Sequence, residues 1–253
     1  MARALIHRFA TLELAAGALA ERLVVDAARA IAARGAFRCA LPGGATPVVL
    51  YRLLASEPWR ARIDWTRAEL FFTDERAVPP EAEGSNFALV ARELAMPLGI
   101  ASERVRRMEA DALDLDASSA AYERELNDPL DVVLLGMGTD GHVASLFPGS
   151  ALLDDGERRC AWIADSPKPP PTRMTLMPRA LRESGALLVL CGGRGKAGAV
   201  TRALTPGIAP RECPAALAAG GDWYLDDAAA APDTREPGAG DDPARLGVRE
   251  TRG

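Results

Sequence analysis

The residues best suited to chemistry lie in one short stretch, Gly136-Met137-Gly138-Thr139-Asp140-Gly141-His142. An imidazole titrates near neutrality, and a carboxylate two positions away can orient it for proton transfer. The glycines at 136, 138 and 141 leave little side-chain bulk and expose backbone amides. The chain has only two histidines. His7 falls in an alternating strand pattern and reads as structural, so any histidine acid–base chemistry must come from His142, with Asp140 beside it.

Four further clusters supply what an anionic substrate needs. Pro42-Gly43-Gly44-Ala45-Thr46-Pro47 is a turn whose paired glycines let amides approach an anion just before a helix. By itself such a turn is more often just a tight connection, and neither a dinucleotide-binding pattern nor a Walker lysine accompanies it. Thr73-Asp74-Glu75-Arg76 places charges directly after an apolar run, a pattern that a solvated loop explains equally well. Two basic stretches follow, Ser166-Pro167-Lys168-Pro169-Pro170-Pro171-Thr172-Arg173 and Gly192-Gly193-Arg194-Gly195-Lys196. Either basic group reads equally as surface charge, but amides and fixed cations of this kind together suit a phosphate monoester. No HExxH or Cys/His cluster points to a metal, and no Gly-x-Ser-x-Gly elbow or catalytic-cysteine pattern points to a covalent hydrolase.

The elements that must position these groups alternate between strand and helix. Strands are expected at 4–9, 37–41, 69–73, 105–108, 131–135, 161–164 and 186–190, and helices at 11–34, 48–54, 86–98, 118–126, 178–183 and 196–204. The run Asp131 to Leu135 (DVVLL) is apolar throughout, as a strand covered on both faces must be. The pattern predicts an α/β fold: a doubly wound, mostly parallel, Rossmann-like sheet with helices on both faces. Ligands bind at the carboxyl ends of strands in such sheets, where all these clusters fall.

A single domain is expected over residues 1–225. From Asp226 to 253 the chain turns to Ala, Pro, Gly, Asp and Arg, which bury too little to offset ordering entropy, and this stretch reads as a flexible polar tail. Hydrophobic residues make up 48% of the sequence, enough for a sizeable core. The net charge of −5 argues against a nucleic-acid partner. No apolar run approaches membrane-spanning length, and no signal core precedes a cleavage site. The four cysteines, at 39, 160, 191 and 213, show no CxxC pairing. A cytoplasmic setting is the default expectation, with the chain a monomer or a weak homo-oligomer.

Taken together, LPGGATP (41–47), FFTDERAVP with a downstream SN (71–79 and 85–86), GMGTDGHVASLFPG (136–149), SPKPPPTRMTL (166–176) and GGRGKAGAV (192–200) resemble the 6-phosphogluconolactonase family, which belongs with the glucosamine-6-phosphate isomerase/deaminase superfamily. The resemblance spans roughly residues 37 to 225, and its most specific block is GMGTDGHVASLFPG. It implies hydrolysis of 6-phospho-D-glucono-1,5-lactone to 6-phosphogluconate, the second step of the oxidative pentose phosphate pathway, without metal or organic cofactor. It implies that His142 activates water or handles the ring-oxygen proton, with Asp140 beside it. The implied substrate-binding set comprises Gly43, Gly44, Ala45, Thr46, Asp74, Arg76, Gly138, Lys168, Arg173 and Lys196, with Arg76, Lys168, Arg173 and Lys196 unranked as anchors of phosphate and sugar oxygens. One departure is that the first loop usually reads SGGSTP, whereas Pro42 and Ala45 stand here in place of both serines, so their hydroxyl contacts are lost. A deaminase or isomerase acting on glucosamine 6-phosphate is the first rival, but its block reads more like DGHIAFNEPG, and here Ala144-Ser145-Leu146-Phe147 points to the lactonase. The second rival, a non-catalytic sugar-phosphate sensor, lacks room for the extra module such regulators carry.

Overall fold

The computed structural model describes residues 4–232 and 249–252. Its main sheet has seven strands, all parallel: β1 (Leu5–Phe9), β2 (Phe37–Leu41), β3 (Ala68–Phe72), β5 (Val132–Leu135), β8 (Ala186–Cys191), β9 (Asp222–Asp226) and β10 (Arg249–Arg252). Their spatial order is β10-β1-β9-β8-β5-β2-β3. A second sheet is antiparallel, in the order β4-β7-β6, from β4 (Asp74–Arg76), β6 (Cys160–Ile163) and β7 (Arg173–Leu176). The helices are α1 (Leu12–Arg34), α2 (Val48–Leu54), α3 (Asn86–Val90), α4 (Met96–Leu98), α5 (Leu115–Glu125), α6 (Pro178–Glu183) and α7 (Ala197–Leu204). A π-helical turn, Ala91–Ala95, joins α3 to α4.

Local chemistry accounts for the boundaries. Thr11 caps α1 by accepting the Leu14 N–H at 3.3 Å, and the Gly35 N–H closes the last turn on Ile31 O at 2.8 Å. The small residues Ala15, Ala16, Ala20, Ala27 and Ala30 bury one face of α1, which lets the helix approach the sheet closely. All four residues of β5 are buried, as its unbroken apolar run requires.

The strand order decides where a ligand can go. The chain steps from β1 to β2 to β3 in one direction, then returns through β5, β8 and β9. Right-handed crossovers therefore put α1 and α2 on one face and the returning connections, α7 among them, on the other. The reversal falls between the neighbours β2 and β5, and a crevice opens beyond their carboxyl ends.

Several expectations are corrected. The segment 161–164 does not extend the parallel scheme: β6 and β7 form an antiparallel pair, because the proline-rich link from Ile163 to Arg173 is too short for a crossover. Residues 105–108 form no strand, only a bridge from Val105 to Leu70. β4, β7 and β9 were not anticipated. The expected tail also begins too early. Asp226 ends β9 and its carboxylate accepts backbone N–H groups, while Arg249–Arg252 pair with β1 as a further parallel strand. The rest of that expectation, residues 233–248 and 253, lies outside the described residues.

β3 forms one edge of the main sheet, so its outward backbone groups need partners. Leu70 O accepts the Arg106 N–H at 2.7 Å, and the Phe72 N–H donates to the buried Tyr122 hydroxyl at 2.9 Å. Tyr122→Phe leaves that amide unpaired and is expected to lower stability by about 1–3 kcal/mol in urea titration. An unchanged midpoint would show that the amide finds another partner.

Candidate active site

The crevice between β2 and β5 is a cleft of about 320 Å³. The loop after β2 supplies Pro42 to Pro47, the end of β3 leads to Asp74 and Arg76, and the loop after β5 supplies Gly136 to Thr139, His142 and Ala144. The β6–β7 hairpin adds Lys168 and Arg173, and the turn after β8 adds Lys196. All the sequence-predicted site residues therefore line this cleft except Asp140, which lies behind His142.

His142 is mostly buried, and its Nδ1 lies 2.5 Å from Asp140 Oδ1. Lys168 Nζ is 3.3 Å from Asp140 Oδ2, so each carboxylate oxygen has its own partner. With Nδ1–H donated to Asp140, the neutral imidazole carries its lone pair on Nε2. Burial pushes the His142 pKa down, and the nearby Lys168 ammonium adds to this; the hydrogen bond and charge of Asp140 offset it only partly, so the net direction is below the ordinary value. Asp140 by itself favours the protonated ring, and desolvation outweighs it. Burial also acts to raise Asp140, yet the hydrogen bond from His142 and the charges of His142 and Lys168 hold it below the usual carboxylate range. The pair is thus a neutral base backed by an anion.

The backbone makes this possible. A Cβ on Gly138 would sit 2.1 Å from His142 Cε1 and Nδ1, and 2.4 Å from Asp140 Oδ1. The loop is pinned from outside, with the Gly141 O accepting the Ala215 N–H at 2.9 Å and the Gly149 N–H donating to Arg211 O at 2.8 Å. Phe147 packs against the imidazole with ring centroids 4.7 Å apart. Ala144 adopts φ 50, left-handed backbone that a residue with a Cβ seldom takes. That turn delivers Ser145, whose hydroxyl donates to Asp74 Oδ2 at 2.7 Å and whose N–H donates to Thr175 Oγ1 at 3.0 Å.

The charged cluster after β3 divides its labour. Asp74 faces the cleft, held by Ser145 and by Asn86 Nδ2 at 3.1 Å. Glu75 turns inward, accepting the N–H groups of Arg76, Asn86 and Phe87 and the Ser85 hydroxyl; burial nonetheless raises its pKa. Arg76 donates to Gly84 O at 2.7 Å, while its Nε is buried with no hydrogen-bond partner among the described residues. Arg173 donates Nε to Pro170 O and Nη2 to Lys168 O and Pro169 O, each at 3.0 Å, and stacks over Phe147. Its fork is largely spent on folding the hairpin that carries Lys168. Lys196 donates to Thr46 Oγ1 at 3.3 Å across the cleft. Gly43 packs against Asn86, where a Cβ would fall 1.7 Å from Oδ1.

Sequence reasoning missed Ser145 and Phe147 as supports, and it gave Asn86 no role. The serine and asparagine are polar residues buried beside the charged loop, a signal visible only once burial is known. Among the described residues, no group of three or more His, Cys, Asp or Glu side chains is placed to hold a metal ion, and no helix is long and apolar enough to cross a membrane.

An α/β sheet with an imidazole–carboxylate pair at its reversal point, facing fixed cations, defines a class of sugar-phosphate enzymes, and comparison with known proteins agrees. The chain belongs to the glucosamine-6-phosphate isomerase/6-phosphogluconolactonase family, whose model matches residues 10–225. It is 38% identical over 242 residues to the 6-phosphogluconolactonase of Mycobacterium tuberculosis, covering 89% of this chain and 97% of that one. A crystal structure of a 6-phosphogluconolactonase from Shewanella baltica superposes with a TM-score of 0.77 at 26% identity, over 88% of this chain and 97% of the other. A monomeric glucosamine-6-phosphate deaminase shares the fold, with a TM-score of 0.76 at 21% identity over 89% and 98% of the two chains. The fold alone thus does not choose between the two reactions.

Gly138→Ala tests the arrangement. The added methyl must displace the imidazole or the carboxylate, so turnover is expected to fall by about 10²–10⁴-fold, the value of a positioned acid–base group. The melting temperature should change by only a few degrees. Near-normal turnover would show that the pair tolerates movement.

Proposed function

We propose that this chain hydrolyses 6-phospho-D-glucono-1,5-lactone to 6-phosphogluconate, as its relatives' names indicate for them, and so acts in the oxidative pentose phosphate pathway. The observation that carries the mechanism is the Asp140–His142 pair at 2.5 Å in a cleft shared with Lys196 and Lys168. His142 Nε2 accepts a proton from water as the water oxygen bonds to the lactone carbonyl carbon. The tetrahedral centre then collapses, the bond to the ring oxygen breaks, and the imidazolium returns its proton to that oxygen. Asp140 holds the ring in the tautomer this requires and offsets the transient positive charge.

The phosphate fits the end of the cleft where Lys196, Thr46 and the amides of the Gly43-Gly44 turn converge. Thr46 stands next to Ala45, one of the positions where the family usually has serine, and retains a hydroxyl at this end. Arg76 and Asp74 face the body of the sugar, the first as donor and the second as acceptor. Lys168 lies nearest the imidazole, where it can stabilise charge on the carbonyl oxygen. Arg173 acts mainly by holding the Lys168 hairpin.

The direct test is a coupled assay in which glucose-6-phosphate dehydrogenase generates the lactone and acid release is followed above the spontaneous rate. Activity should persist in EDTA. Loss on chelation, or release of ammonia from glucosamine 6-phosphate at a comparable rate, would overturn the assignment.

The proton-transfer role has a pH signature. His142 must be neutral to act, and its pKa lies below the ordinary 6.5. Accordingly kcat/KM should fall as pH drops through the imidazole pKa, with the midpoint of that limb below pH 6.5. His142→Asn should lose about 10²–10⁴-fold in turnover and abolish that limb. Asp140→Asn removes the contributions that raise the His142 pKa, so the limb should move to lower pH while turnover falls. A limb that survives His142→Asn would assign the proton transfer elsewhere.

A further inference from the structure

The turn that delivers Lys196 is rich in glycine. It runs Gly192-Gly193-Arg194-Gly195, Gly193 sits at φ 92, and the short 3-10 turn Arg194–Lys196 has no side-chain cap. A flexible turn would let the ammonium wander, and a wandering cation contributes little to holding a phosphate. One restraint comes from the neighbouring strand. Asp226, the last residue of β9, places its two carboxylate oxygens 3.0 and 2.9 Å from the Gly193 N. Its Oδ1 also accepts the Ala229 N–H at 2.7 Å. Gly192 leaves the space this requires, since a Cβ there would fall 2.8 Å from Asp226 Oδ2. The Gly193 O in turn accepts the Lys196 N–H at 3.1 Å, and Lys196 Nζ reaches Thr46.

We infer that Asp226 is a positioning residue for the phosphate end of the cleft: its carboxylate sets the Gly193 turn and, through that turn, the place and direction of Lys196. Asp226 is not among the groups lining the cleft, so it acts on substrate only through the turn. Its two oxygens are directed at the backbone amides of Gly193 and Ala229. Composition had assigned Asp226 to the start of the tail, whereas here it ties β9 to the turn after β8. The inference rests on the reading that Lys196 holds the phosphate, and the experiment separates the two.

The experiment compares the wild type with Asp226→Asn, Gly192→Ala and Lys196→Ala in steady-state kinetics. The substrates are the phosphorylated lactone and unphosphorylated glucono-1,5-lactone, and inorganic phosphate is titrated as a competitive inhibitor. Asp226→Asn keeps the shape but loses the anionic acceptor, and Gly192→Ala pushes the carboxylate away without touching its charge. Each should raise KM for the phosphorylated lactone and the inhibition constant of phosphate by about tenfold. Turnover, the acid limb of the pH profile and KM for the unphosphorylated lactone should change by less than about twofold, since only the phosphate contact is altered. If Lys196→Ala shows this pattern and neither Asp226→Asn nor Gly192→Ala does, the positioning role is wrong and the phosphate site stands. If Lys196→Ala also fails to discriminate, the phosphate is held elsewhere and the role of Asp226 falls with it. Equal losses on both substrates in the Asp226 and Gly192 variants would mean a purely structural part and would likewise overturn the inference. Should Asp226→Asn fail to fold, Gly192→Ala decides the question.

Discussion

Burying an imidazole against a carboxylate requires the backbone beside them to stay out of the way, and much of this structure meets that requirement. At Gly138 the absent side chain is the space into which His142 and Asp140 fold. Because the ring is desolvated, it stays neutral; because Asp140 remains ionised, the ring keeps one tautomer. Both conditions depend on the loop after β5 being held still. Contacts from Ala215 at Gly141 and from Arg211 at Gly149, Phe147 against the ring, and the left-handed turn at Ala144 achieve this.

The cations arrive from three separate elements, and the sheet order explains why they meet. The reversal between β2 and β5 leaves a crevice that no crossover covers, and the turn after the neighbouring β8 opens into it. The small antiparallel sheet lies beyond β3 and carries a proline-rich hairpin back over the same crevice, which brings Lys168 within reach of Asp140. Arg173 clips that hairpin through carbonyls of its own loop. A residue that reads as a substrate anchor in sequence thus spends most of its hydrogen-bonding capacity on architecture.

The buried polar network under the charged loop follows the same logic. Asp74 is usable in the cleft because Asn86 and Ser145 hold it, and Asn86 can do so because Gly43 has no side chain. Glu75, its neighbour, serves the backbone of α3 instead. Alternation along β4 sends adjacent carboxylates to opposite sides, one toward the cleft and one toward the protein interior.

What could be read from sequence was what depends on near neighbours. Apolar runs and caps placed β2, α2, β5 and α6 closely, since period, turn residues and breakers act over a few positions. The glycine-flanked Asp140 and His142 were legible for the same reason, being two residues apart in one loop. Relations between distant segments were settled only by the tertiary structure. Whether 160–163 joins the parallel sheet depends on its pairing with β7, and whether Glu75 faces inward depends on a helix that begins at Asn86. The direction in which the His142 pKa moves depends on burial, a property of the packed whole. Asp226 shows the limit most plainly. Its local composition resembles that of a disordered tail, and only the parallel pairing of β9 with β8 brings its carboxylate to the Gly193 amide. Composition reports how much surface a segment can bury, but a charge finds its partner through the geometry of strands far apart in the chain.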